Sequence, residues 1–179
     1  MRVKIFYLTG FMASGKSTIG PILANTVGWN FYDLDKEIEA RENKKISLLF
    51  EEKGEEYFRK VETEVLAQLS MNKKLIIALG GGTLINPQNR KIVKKSGKLI
   101  CLKCSPETTY MRLKHKRDRP VLVPQNSDID NGKTLAKKIE NVMQERKQYD
   151  KYADHIYNTD KDSIGMTVDA LARLVKKYI

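Results

Sequence analysis

The chain has 179 residues, 41% of them hydrophobic and 31% charged, with a formal net charge of +11. That length and composition suit one domain with a core that needs no disulfides. They exclude a membrane span, since no apolar run approaches the ~20 residues it requires. The lysine pairs at 44–45, 73–74, 94–95, 137–138 and 176–177 are scattered without interleaved aromatics, so they read as solvated faces and not as a nucleic-acid track.

The first predicted element is an apolar strand, Val3–Leu8, entered so early that no signal or transit segment is expected before it. It leads into Gly10-Phe11-Met12-Ala13-Ser14-Gly15-Lys16-Ser17-Thr18 and then a helix over Lys16–Val27. Strand, G-x-x-x-x-G-K-S loop and helix together form a phosphate cradle. Gly10 and Gly15 supply unusual dihedrals, and the amides of Ala13, Ser14, Gly15, Lys16 and Ser17 converge on phosphate oxygens at the helix N-terminus. Lys16 reaches the outer phosphates, Ser17 joins a Mg2+ shell and Thr18 contacts an inner phosphate.

A second strand, Asn30–Asp33, ends in Asp33-Leu34-Asp35. Asp33 is placed to hold Mg2+ through water. Asp35 either hydrogen-bonds substrate hydroxyls and accepts a proton, or caps the helix predicted over Lys36–Glu42. Helices follow over Ser47–Glu52 and Glu55–Leu69. In the latter, Arg59 and Glu62 lie three apart, either as an oriented clamp for a carboxylate or as a surface ion pair.

The third strand, Leu75–Leu79, ends in Gly80-Gly81-Gly82-Thr83, which offers backbone amides to a ligand at close range or makes a flexible turn. A helix over Pro87–Lys95 and a strand over Lys98–Lys103 follow. Cys101 and Cys104 read as reduced structural thiols, because residues three apart in a strand face opposite ways, and reduced cysteines suit a cytoplasmic setting. After a helix over Pro106–Lys114, residues 116–133 hold Arg117, Arg119, Pro120, Pro124 and Gly132 and read as a lid. The chain closes with a helix over Thr134–Tyr149 carrying Arg146, a strand near His155–Asn158 and a helix over Ser163–Tyr178.

Short apolar strands alternating with amphipathic helices predict an α/β fold whose parallel sheet is covered on both faces, with ligands at the C-terminal strand ends. The ordered set Gly10–Thr18, Phe31-Tyr32-Asp33-Leu34-Asp35, Gly54-Glu55-x-x-Phe58-Arg59-x-x-Glu62, Gly80-Gly81-Gly82, Arg119-Pro120-Val121-Leu122 and Arg146-x-x-Tyr149 resembles shikimate kinase. The resemblance implies one domain over residues 1–179 with the three-layer, nucleoside-monophosphate-kinase-like P-loop fold and five parallel strands, substrate-binding helices at about 34–62 and the lid. It implies ATP-dependent, Mg2+-assisted phosphorylation of the 3-hydroxyl of shikimate by a monomer. Arg59 and Arg146 would clamp the carboxylate, and Asp35 with the turn Gly80, Gly81 and Gly82 would meet the ring hydroxyls. Arg119 would approach the transferring phosphate and Arg112 would stack on adenine. Lys16, Asp35 and Arg119 would then be the catalytic set. Pro21 in place of arginine, Leu79 before the triple glycine and Val121 in place of leucine depart from the family's pattern. A gluconate-type kinase of the same fold is the nearest alternative.

Overall fold

Side-chain alternation along β1 (Ile5–Thr9) organises the protein around a central sheet. Phe6 and Leu8 face one apolar layer, whereas Ile5 and Tyr7 face the other. The structure is a computed structural model; it describes residues 3–113 and 132–179, and of residues 132–135 the backbone alone. The sheet adds β2 (Asn30–Asp33), β3 (Leu75–Ala78), β4 (Lys98–Lys103) and β5 (His155–Asn158), in the order β2-β3-β1-β4-β5. Every pairing is parallel. The central strands are buried almost throughout, as both-face coverage demands.

One layer is α1 (Lys16–Val27) with α7 (Ile164–Lys176), which bury Ile19, Leu23, Val168, Leu171 and Val175 against Phe6, Ile76 and Ile100. The other holds α2 (Leu34–Glu42), α3 (Ile46–Leu69) and α4 (Pro87–Ser96), packed through Ile38, Phe58, Val61, Leu66 and Val93 on Tyr7, Ile77 and Leu99. Tyr7 is fully buried, and its hydroxyl meets Ser96 Oγ at 2.7 Å, so the ring brings no unsatisfied polar atom into the core. A satellite cluster of Leu113 and Ile139 joins α5 (Pro106–Leu113) and α6 (Gly132–Arg146) to Phe11 and Met12 of the loop after β1.

The chain therefore leaves neighbouring strands β1 and β3 toward opposite faces, to α1 and to α4 respectively, which opens a crevice at their C-terminal ends. The strands match their predicted positions within two residues. The two helices expected on either side of residues 53–54 form one element, α3, bent at Gly54, where φ 78 and ψ 172 are open to glycine at low cost. The helix expected over Thr134–Tyr149 begins at Gly132 and passes into a 3-10 turn over Lys147–Tyr152, so residues 132 and 133, assigned to the lid, are helical. The rest of that lid, with Arg117 and Arg119, lies outside the described residues. Pro21 sits inside α1, where its ring leaves the carbonyl of Ser17 without the usual helical N–H.

Candidate active site

The loop between β1 and α1 has the backbone that an anion cradle requires. Gly10 (φ 139), Ala13 (φ 61) and Gly15 (φ 103) all take positive φ, and Gly15 is the N-cap of α1. A side chain at Gly10 would strike the Leu102 carbonyl of β4, so the loop can seat on the sheet only as glycine there. Lys16 Nζ is folded over the loop, donating to the carbonyls of Gly10 (2.7 Å) and Phe11 (3.1 Å). Ser14 is completely buried, and its Oγ has no hydrogen-bond partner among the described residues. Ser17 and Thr18 are exposed at the first turn of α1.

The Ser17 hydroxyl donates to Asp33 Oδ2 at 3.1 Å, while Asp33 Oδ1 accepts the amide of Asp35 at 3.2 Å. Asp33, not Asp35, is thus the N-cap of α2, which starts at Leu34. The alternative reading of Asp35 as a cap fails, because its own amide is the group being capped. Asp35 is left with its carboxylate against Gly80: a Cβ built there would lie 2.5 Å from Asp35 Oδ1.

The next two glycines are crowded in the same way. A Cβ on Gly81 would sit 2.5 Å from Arg146 Nη1, and one on Gly82 would sit 2.7 Å from Arg59 Nη2. None of the three has positive φ. The turn is bare because side chains from α2, α6 and α3 occupy the space where its own would be. The expectation that it serves through its amides is therefore supplemented by a steric role.

Arg59 donates to Glu62 (3.0 Å) and through Nε and Nη2 to Glu55 (3.1 and 3.0 Å). Burial works against its charge, but the Glu62 and Glu55 carboxylates outweigh that and raise its pKa. Glu62 is 1% exposed and accepts from Thr83 Oγ1 at 2.7 Å, so the pair is no surface ion bridge. Arg146 has its guanidinium 5.6 Å from the Phe11 ring centroid and no carboxylate within ion-pair distance among the described residues. Burial, then the like charge of Arg59, lowers its pKa. Two guanidinium groups thus converge on Gly81 and Gly82, Arg59 matched by Glu55 and Glu62 and Arg146 with its charge available to an anion. A cleft of about 340 Å³ is lined by Gly10, Phe11, Gly81, Leu84, Arg146 and Tyr149, which joins the phosphate loop to Arg146.

On the far side of the loop, Arg112 donates to the Ala13 carbonyl (3.0 Å) and to the carbonyl of Thr159 (3.0 Å). Thr159 is 2% exposed and reaches the carbonyls of Lys103 (3.0 Å) and Ser14 (3.4 Å). Asp160 accepts the Ser105 amide at the start of α5 (2.9 Å). Thr83 and Thr159 escape sequence reasoning because their partners are distant in the chain; the position of Thr83 directly after the glycines was the one available signal. The thiols of Cys101 and Cys104 are both free and buried, and they approach Asp150 and Thr109 respectively.

The sequence model of a family described as shikimate kinase matches residues 12–176. The shikimate kinase of Chloroherpeton thalassium is 41% identical over 175 residues, covering 98% of this chain and 94% of that protein. That of Chlorobaculum parvum is 39% identical with the same coverage. Among solved structures, shikimate kinase from Acinetobacter baumannii in complex with shikimate superposes with a TM-score of 0.85 at 30% identity, over 98% of this chain and 94% of the other. Shikimate kinase from Bacteroides thetaiotaomicron superposes with a TM-score of 0.86 at 29% identity, covering 98% and 99%.

Proposed function

The chain belongs to the shikimate kinase family, and from that premise we propose how its residues carry out ATP-dependent phosphorylation of shikimate, a step of aromatic biosynthesis. The observation that carries the assignment is the pair of half-buried guanidinium groups, Arg146 against Gly81 and Arg59 against Gly82, with Arg146 and Gly81 lining a cleft that also reaches Gly10 and Phe11 of the phosphate loop.

Arg59 and Arg146 grip the carboxylate of shikimate, Arg59 exchanging its exposed partner Glu55 for the ligand while Glu62 keeps hold of Nη1, and arginine suits this because its planar fork matches a carboxylate. Asp35 and Gly81 meet the ring hydroxyls. Fixing the acid at one end turns binding energy into alignment of the 3-hydroxyl with the γ-phosphate. The amides of residues 13–17 and Lys16 hold the phosphates, with the Lys16 ammonium swinging off the Gly10 and Phe11 carbonyls. The 3-hydroxyl oxygen bonds to the γ-phosphorus as the bond to the β–γ bridging oxygen breaks. ADP leaves with that oxygen, and the hydroxyl proton passes to Asp35. Arg112 lines the adenine side. Arg119, outside the described residues, completes charge neutralisation around the moving phosphoryl group.

The donor set suits Mg2+: a hydroxyl and a carboxylate, Ser17 and Asp33, already share a hydrogen bond beside the cradle, and both are hard oxygen ligands. When bound there, Mg2+ offsets phosphate charge. No helix among the described residues is long and apolar enough to cross a membrane. The enzyme is proposed to act as a cytoplasmic monomer without nucleic acid.

The test is coupled measurement of ADP release with shikimate, with gluconate and with neither. ADP release with shikimate alone is expected; release with gluconate and not with shikimate overturns the assignment.

A further inference from the structure

Behind the glycine turn a buried hydroxyl and a buried carboxylate lead out to Arg59. Thr83, wholly buried, donates its hydroxyl to Glu62 Oε1 at 2.7 Å, and Glu62 Oε2 accepts from Arg59 Nη1 at 3.0 Å. Thr83 is itself fixed at both backbone ends: its amide donates to the Gly80 carbonyl (3.3 Å), and its carbonyl accepts Asn89 Nδ2 (3.1 Å). Its Oγ1 would lie 3.2 Å from a Cβ at Gly80, so it sits directly under the turn.

We propose that Thr83 is a positioning residue for acid recognition, acting on Arg59 through Glu62. This rests on the carboxylate-clamping role of Arg59 given above. The physical case is the satisfaction of a buried carboxylate. Glu62 is 1% exposed, so each of its oxygens needs a donor from the protein. Thr83 supplies one and Arg59 the other. With the Thr83 hydroxyl removed, Oε1 is orphaned, and the carboxylate turns both oxygens toward the one remaining donor. The guanidinium, whose Nε and Nη2 are held by the exposed Glu55, is then drawn toward Glu62 and away from its place against Gly82. The hydroxyl also joins two elements, α3, which carries Arg59, and the turn whose Gly82 packs on the same guanidinium. A parallel strap holds the backbone independently: Asn86 Nδ2 donates to Thr63 Oγ1 (3.1 Å), which donates to the Arg59 carbonyl (3.0 Å). Removing one hydroxyl therefore leaves α3 in place and disturbs the aim of its arginine.

The test is steady-state kinetics for both substrates on Thr83→Val, Thr83→Ser, Arg59→Ala and the Thr83→Val/Arg59→Ala double variant. Thr83→Val is isosteric and lacks the donor. It should raise KM for shikimate roughly tenfold, the scale of leaving a buried charged acceptor unpaired, with KM for ATP unchanged. Thr83→Ser should restore the wild-type value, and Thr83→Val should add nothing in the Arg59→Ala background. If Thr83→Val does not fold, Thr83→Ala compared with Thr83→Ser carries the same contrast. An unchanged KM for shikimate, an equal rise for both substrates, or full additivity with Arg59→Ala overturns the proposal. Failure of the underlying reading shows separately, as an Arg59→Ala enzyme with ordinary KM for shikimate.

Discussion

The two oxygens of Asp33 serve two elements: Oδ2 accepts the Ser17 hydroxyl at 3.1 Å, and Oδ1 caps α2 through the Asp35 amide at 3.2 Å. One carboxylate thus fixes the first turn of the phosphate-loop helix relative to the helix that carries Asp35.

Asp33→Asn separates these duties. Asparagine caps a helix about as well as aspartate, so thermal stability should change little. Its amide is a poor partner for a hydrated cation. The Mg2+ concentration for half-maximal activity should rise roughly tenfold or more, in keeping with the loss of a group that orients a metal's surroundings. A Mg2+ titration of activity beside a melting curve checks both halves.

Gly82→Ala should weaken shikimate binding without harming the fold. The new methyl would lie 2.7 Å from Arg59 Nη2, the end of a flexible side chain that can move aside. A displaced guanidinium forfeits charged hydrogen bonds to the acid, so KM for shikimate should rise on the order of tenfold or more. ATP affinity, measured by nucleotide titration, should hold.

Thr159→Val should do the opposite. The hydroxyl joins the carbonyls of Lys103 and Ser14 beside the phosphate loop, and Arg112 grips the same residue. Its loss should destabilise the fold by about 1–3 kcal/mol and raise KM for ATP while sparing that for shikimate. Denaturant unfolding and two-substrate kinetics test this.

Neither cysteine should react with iodoacetamide in the folded enzyme at pH 8. Burial, then the neighbouring Asp150 carboxylate, pushes the Cys101 thiol from an ordinary 9.0 up to about 12, and burial raises Cys104 as well. Only thiolate reacts. The same shift has a sign for stability. Between pH 9 and about 12 the unfolded chain releases the Cys101 proton and the folded chain keeps it, so stability should fall as pH rises across that window and be unaffected by this group below it. Intact-mass spectrometry and alkaline unfolding curves are the measurements.

Pro21→Ala should stabilise the protein. Proline within α1 removes the N–H that the Ser17 carbonyl would accept. Restoring it is expected to add about 1–3 kcal/mol, or about 2–4 °C of melting temperature per kcal/mol for a chain of this size.

Much of this was legible in the chain. Strand positions followed from short apolar runs, and the phosphate loop followed from glycine spacing together with its flanking strand and helix. Arg59, Arg146 and Asp35 were named through the resemblance, and the structure brings all three to the glycine turn. What was not legible depends on contacts across the chain. The Thr83–Glu62 bond spans 21 positions and the Thr159–Ser14 bond 145, and no local pattern encodes either. The cap on α2 was shifted from Asp35 to Asp33 because both are good capping residues and only the backbone geometry at Leu34 chooses between them.

Each glycine of the tripeptide 80–82 is matched to a different charged side chain, delivered by a different helix. A methyl added at any one of them would displace a specific side chain: Asp35 at Gly80, Arg146 at Gly81, Arg59 at Gly82. With the proposed roles, altered acceptor preference would call for coordinated exchange, a bulkier turn residue accompanied by a shortened partner opposite it. An engineer, like natural drift, meets a valley between such pairs and not a gradual slope.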